Sequence, residues 1–188
     1  MVHSSLKKMV TYINIHFFSE CMEVKNVITA VEHSRAFIDW KKEHSSYYLV
    51  HLFKMLDEAN RYIWQVGFYS KEKDRITTFI VERGDVKLGP DSEVFKKEDT
   101  FIPELDITKV KKDLSDVLKI ATKFQEANYK NEKPLKIMVI LQNLPKSGIV
   151  YNTTYITQDL KTLNMKVSAI SGKVLKHQLV SLMDFARH

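Results

Sequence analysis

Lys166-Val167-Ser168-Ala169-Ile170-Ser171-Gly172-Lys173-Val174 reads as the end of a β-strand, a glycine turn and a return to extended chain. A weaker copy, Ile80-Val81-Glu82-Arg83-Gly84-Asp85-Val86, lies 88 residues upstream and places Gly84 on Gly172 and Val86 on Val174. A tight connection after a strand commonly needs one residue at positive φ, where a Cβ would clash, so both glycines have a backbone reason to be there. The chain therefore reads as one small α+β unit written twice.

Upstream of the quoted stretch, Leu163, Met165, Val167 and Ala169 alternate with Asn164, Lys166 and Ser168, as in a strand wet on one face. Ile149 to Thr157 is rich in Thr and Tyr and reads as a strand. Leu135 to Leu141 is a buried apolar strand, and Pro145-Lys146-Ser147-Gly148 is the turn between the two. Before them, Asp106 reads as the N-cap of a long helix with Val110, Leu114, Val117, Leu118, Ala121, Phe124 and Ala127 on one stripe. The tail from Val174 to Phe185 is apolar enough to dock as a strand or short helix.

The first half has the same order. Val27, Ala30, Val31, Ser34, Phe37 and Ile38 form a helical stripe between Glu23 and Lys42. Tyr47 to Leu56 is a nearly continuous apolar strand interrupted by His51 and Lys54. Arg61 to Ser70 follows with Tyr62, Trp64, Val66 and Phe68 on one face, and Arg75 to Glu82 is the third strand. Short polar turns between these strands imply an antiparallel meander. Gly89-Pro90-Asp91-Ser92 breaks the pattern, so residues 91–105 read as a linker between units spanning 22–90 and 106–188. An offset of 87 pairs Val27 with Leu114, Val31 with Leu118, Phe37 with Phe124, Leu52 with Val139 and Trp64 with Tyr151. At that offset the helix and two strands keep their order and spacing, and a single extra residue in a turn of the second half then brings Gly84 onto Gly172, as an internal duplication allows.

A helix laid across a three-to-four-stranded antiparallel sheet, in two tandem copies, resembles the PepSY and other cystatin-like units. The likeness is most specific in Val167 to Val174, which is similar to the valine-aspartate-alanine-x-threonine-glycine-x-valine ending of PepSY units, with Ser168 for aspartate and Ser171 for threonine. Trp64-Gln65-Val66 resembles that family's tryptophan-containing middle strand. In the first copy only Gly84 and the apolar ends are kept. The resemblance implies binding to, or restraint of, a partner protein such as a peptidase, through a sheet edge or loops. PepSY-like units commonly work outside the cytoplasm.

Composition bounds the remaining classes. With 188 residues, 44% hydrophobic and 11% aromatic, the chain can fill a core. Cys21 is the only cysteine, which excludes an intrachain disulfide and CxxC chemistry and favours a reducing compartment. Residues 1–100 balance at 15 charges of each sign, and residues 101–188 carry 14 basic against 8 acidic, the whole of the +6 excess. That excess reads as a solvated lysine face rather than a nucleic-acid surface, since no RRM motif accompanies it. No apolar run reaches the ~20 residues of a spanning helix. Residues 1–21 read as a doubtful leader or accessory helix: Lys7 and Lys8 precede Met9 to Phe18, but Asn14 and His16 interrupt the apolar part. A cytoplasmic place follows by default, and an extracytoplasmic one if the natural start lies elsewhere.

Chemistry is sparse. The seven histidines form no HExxH, HxH or H-x3-H pattern, so no metal or other cofactor is expected. No G-x-S-x-G elbow and no phosphate-binding glycine loop occurs, so no catalytic residue is assigned. The aromatic strand faces are the remaining candidates: Tyr62, Trp64 and Phe68 in the first half, Tyr151 and Tyr155 in the second. They either fill the core or form a face for a peptide or apolar ligand. The expectation is a non-enzymatic protein- or peptide-binding module. Its alternative is a small-molecule-binding or enzymatic domain with a pocket between helix and sheet. Nothing in the sequence sets an oligomeric state.

Overall fold

The computed structural model describes residues 22–93 and 101–182. The leader reading of residues 1–21, Cys21 included, lies outside that range. Helices α1 (Val24–His33) and α2 (Arg35–Glu43) precede strands β1 (Tyr48–Leu56), β2 (Ile63–Ser70), β3 (Arg75–Glu82) and β4 (Asp85–Glu93). A 3-10 turn (Ile107–Lys109) and helix α3 (Leu114–Asn128) then lead to β5 (Pro134–Leu144), β6 (Gly148–Thr157), β7 (Lys161–Ser168) and β8 (Val174–Ser181).

The main correction concerns the architecture. The two halves are not two tandem helix-on-sheet units. Their strands form one eight-stranded antiparallel sheet in the order β4-β3-β2-β1-β5-β6-β7-β8. β1 and β5 pair from His51↔Gln142 to Leu56↔Ile137 and fuse the halves at the middle. As the edges of separate sheets these two apolar strands would leave a row of N–H and C=O groups unpaired beside sticky side chains, and pairing them removes both liabilities. The class is α+β, with one core. It runs without interruption from Val24 and Val27 through Leu52, Val66, Val139 and Leu141 to Met165 and Ala169.

Three local readings change as well. The expected helix from Glu23 to Lys42 breaks at Ser34, which is extended at φ −73°, ψ 145°. The Ser34 Oγ accepts from the Phe37 amide at 3.1 Å and donates to the Val31 carbonyl at 2.7 Å, so one residue stops α1 and caps α2. The turn aims Phe37 and Trp40 at Phe68 and Phe79, and Ile38 stays exposed. Asp106 does not cap the long helix; it caps the 3-10 turn by accepting from the Thr108 amide at 3.0 Å. The amides of Lys111 and Lys112 instead donate to the Ala169 carbonyl at 3.0 and 2.9 Å, so the helix cannot begin until Leu114. Lastly, Gly89-Pro90-Asp91-Ser92 does not break the sheet but belongs to β4. A proline is tolerated there because β4 is an edge strand whose outer N–H groups need no partner within the sheet.

The stretch Lys166 to Val174 ends β7, turns and begins β8. The turn is held by its own serine: Ser168 Oγ accepts from the amides of Ile170 and Ser171 at 3.3 and 3.2 Å. Gly172 sits at φ +76° and Gly84 at φ +94°, the left-handed region expected of both. Ala169 is fully buried and joins this turn to the segment before α3 and, through its amide, to the Ile149 carbonyl.

Candidate functional site

The five aromatic candidates do not form a shared surface. Trp64, Phe68, Tyr151 and Tyr155 are 3%, 5%, 0% and 1% exposed and belong to the core under the helices. Phe68 sits among Phe37, Trp40 and Phe79 with ring centroids 5.0 to 5.8 Å away. The Tyr151 hydroxyl donates to the Lys112 carbonyl at 2.9 Å, and burial lifts its pKa well above the ordinary phenol range. The Tyr155 hydroxyl lies 3.3 Å from Thr122 Oγ1, and burial pushes it up to about 12. Neither phenol is set up to act as a base near neutral pH. Tyr62 is half-buried between the Arg61 and Arg83 guanidinium groups, each 4.5 Å from its ring centre.

Lys54 is 1% exposed, with its ammonium donating to the Arg61 and Ile63 carbonyls at 2.7 and 3.3 Å and lying 4.9 Å from the Trp64 ring. His51 points to the opposite face of the sheet. Its ring covers Gly67, where an added Cβ would come within 2.2 Å of it, and burial depresses its pKa to about 4. Among the described residues no group of three or more His, Cys, Asp or Glu side chains converges as a metal site.

Two features outside the aromatic set present groups that a partner or ligand can use. The first is the sheet edge at β8. It pairs with β7 in unbroken register from Lys161↔Ser181 to Lys166↔Lys176, and its other edge has no strand partner among the described residues. Leu175, Lys176, His177 and Gln178 are exposed. Residues 161–182 contain four lysines (Lys161, Lys166, Lys173, Lys176) and no acidic residue. His177 is steadied by the Tyr129 hydroxyl at 2.6 Å and by the Phe124 ring at 4.9 Å. The other edge, β4, is guarded: it carries Pro90, a register shift opposite Thr77 to Phe79, and the acidic side chains Asp85, Asp91 and Glu93.

The second feature is a groove of about 190 Å³ between the C-terminal half of α3 and the start of β5. Leu56, Ile137 and Tyr155 contribute to its apolar lining, and Lys130 and Lys133 from the connection between α3 and β5, with Lys136 from β5, also line it. At the opposite end of the β1–β5 seam lies a wider depression of about 720 Å³ whose lining includes Glu32, Glu104 and Asp106. Asp106 there is paired with Lys109 at 3.1 Å, and its carboxyl is held below the usual range by hydrogen bonds from Thr108 and Lys109.

No protein-family model and no curated protein sequence matches the chain. One solved structure is similar: a crystal structure described as a "putative lipoprotein" from Clostridium difficile 630, with a TM-score of 0.52 and 16% sequence identity. The match covers 77% of this chain and 90% of that one. At that identity the likeness concerns the fold. Among the described residues no helix is long and apolar enough to cross a membrane.

Of the residues expected from sequence only Tyr155 lines the groove; the β8 edge and the groove's lysines were not among them. The lysine excess after residue 101 was the available signal. Strand and helix periodicity gave no means of knowing that Lys130, Lys133 and Lys136 share one opening.

Proposed function

We propose that this chain is a non-enzymatic binding protein that takes up an extended, acidic segment of a partner protein along β8. The observation that supports this reading is the contrast between the two sheet edges. From Val174 to Val180, β8 offers strand without proline, glycine or acidic side chains, and β4 carries the devices that discourage pairing. An added strand would gain main-chain hydrogen bonds from β8, and Lys166 and Lys176, paired across the ladder, would favour carboxylates on one face of the incoming peptide. A place outside the cytoplasm suits this reading, because the fold also occurs in the protein described as a "putative lipoprotein"; cell fractionation would decide between compartments.

The test is hydrogen exchange with and without acidic, β-prone peptides. Binding should slow exchange of backbone amides within 174–181, and Lys166→Glu with Lys176→Glu should weaken it at low salt. A peptide that binds yet protects no amide in that range would refute the edge mechanism. Turnover of the peptide would refute the non-enzymatic reading.

A further inference from the structure

We infer that the groove between α3 and the start of β5 is a separate binding site, for a small amphipathic carboxylate with a short to medium hydrocarbon chain. This goes beyond the β8 reading and does not rest on it. Like the pocket of the alternative reading it lies between a helix and the sheet, but of the aromatic candidates only Tyr155 lines it.

The size comes first. About 190 Å³ corresponds to roughly six water volumes, below the ~300 Å³ at which drug-sized sites begin. A short acyl chain fits a groove of that size. The lining comes second. Leu56 and Ile137 are buried at the base, and Leu135 at the lip is 57% exposed, an apolar side chain left in water beside an apolar floor. Burying Leu135 against a hydrocarbon chain removes that exposure.

Charge comes third. Lys130, Lys133 and Lys136 form no ion pair among the described residues, unlike Lys161, which is held by Glu132 at 2.6 Å. Against these three cations the lining carries one carboxylate, Glu126, and the carbonyl end of α3, which finishes at Asn128. The balance still favours an anion. The neutral polar groups cannot replace the lysines: both protons of the Gln125 amide are already given to the Tyr129 and Glu132 carbonyls at 2.9 Å. The Tyr155 hydroxyl is engaged with Thr122. Recognition of the head group therefore falls to the ammonium groups, and recognition of the tail to the aliphatic floor.

The test uses octanoate as the probe, with acetate (head without tail) and 1-octanol (tail without head) as comparisons, followed by calorimetry and by methyl shifts of Leu56, Leu135 and Ile137. Octanoate should bind and move those methyls, acetate should not, and 1-octanol should bind at least tenfold more weakly. The exposed lysines can be changed without disturbing the core, so Lys130→Gln, Lys133→Gln and Lys136→Gln together should weaken octanoate at least tenfold and leave 1-octanol unchanged. Leu135→Asp should weaken both. Unchanged octanoate affinity in the triple-lysine variant overturns the proposal, as does binding whose shifts map elsewhere. Attachment to anionic vesicles without octanoate binding would also overturn it, since the lysines would then serve a lipid surface.

Discussion

Gly172→Ala tests how the closing turn is held against α3. At φ +76° any side chain pays the left-handed penalty of about 1 kcal/mol. The new Cβ would also stand 2.9 Å from Ile120 Cδ1 and 3.5 Å from Lys112 Cε. Overpacking of this kind costs about 1–3 kcal/mol, and the lower end applies because the nearest atom is the tip of a side chain. The total is about 2 kcal/mol, which for a domain of this size corresponds to a melting temperature lower by roughly 4–8 °C. Gly84→Ala is the internal control: φ is +94° but nothing lies within 4 Å of the added Cβ, so only the backbone part, about 1 kcal/mol and ~2–4 °C, should be lost. Urea and thermal unfolding followed by circular dichroism would measure both. If Gly172→Ala costs no more than Gly84→Ala, the close approach of the turn to α3 is not a constraint and the reasoning fails. Gly172→Val should be worse than alanine, because a branched Cβ meets the same wall.

Stability should fall in mild acid because of His51. Its folded pKa of about 4 lies below the unfolded value of about 6.5, so its contribution is complete above pH ~6.5 and is lost as pH falls toward 4; the difference is at most about 3 kcal/mol. A His51→Gln variant should show a shallower loss between those pH values in urea titrations, and an unchanged slope would clear His51 of the effect. Gly67→Ala should force the His51 ring away, destabilise by about 1–3 kcal/mol, and bring the histidine pKa back up toward its ordinary value, readable by NMR titration. Ser34→Ala should cost about 1 kcal/mol in equilibrium unfolding by removing the α2 cap, and Ser34→Thr, which can both accept from Phe37 and donate to Val31, should recover more of it than Ser34→Asp, which can only accept.

Much of the local structure was legible. The alternation in Leu163 to Ala169, the apolar runs at Tyr47 to Leu56 and Leu135 to Leu141, and the glycines at 84 and 172 all correspond to strands and turns in the fold. Two of the misreadings turn on hydrogen bonds that side-chain periodicity does not register, one long-range and one local. The stripe from Val110 onward looks continuous with the helix, but the amides of Lys111 and Lys112 serve Ala169. Ser34 looks like one more position of a stripe, but its hydroxyl serves the backbone on both sides. The aromatic candidates were ambiguous because a strand's apolar face looks the same whether a helix covers it or a ligand does. Here the helices cover it, except at Tyr62, which lies half-buried beside Arg61 and Arg83.

The amino-acid sequence alone determined the elements: which residues alternate, where a positive φ is required, and that the second half carries the basic excess. Only the tertiary structure decided how those elements join. Main-chain hydrogen-bonding groups are the same in every strand, so no side chain announces that β1 will pair with β5, 81 to 91 residues away, rather than remain an edge. That single pairing turned two expected units into one sheet, moved the free edges out to β4 and β8, and brought Leu56 of the first half beside Ile137 and the lysine-rimmed groove of the second.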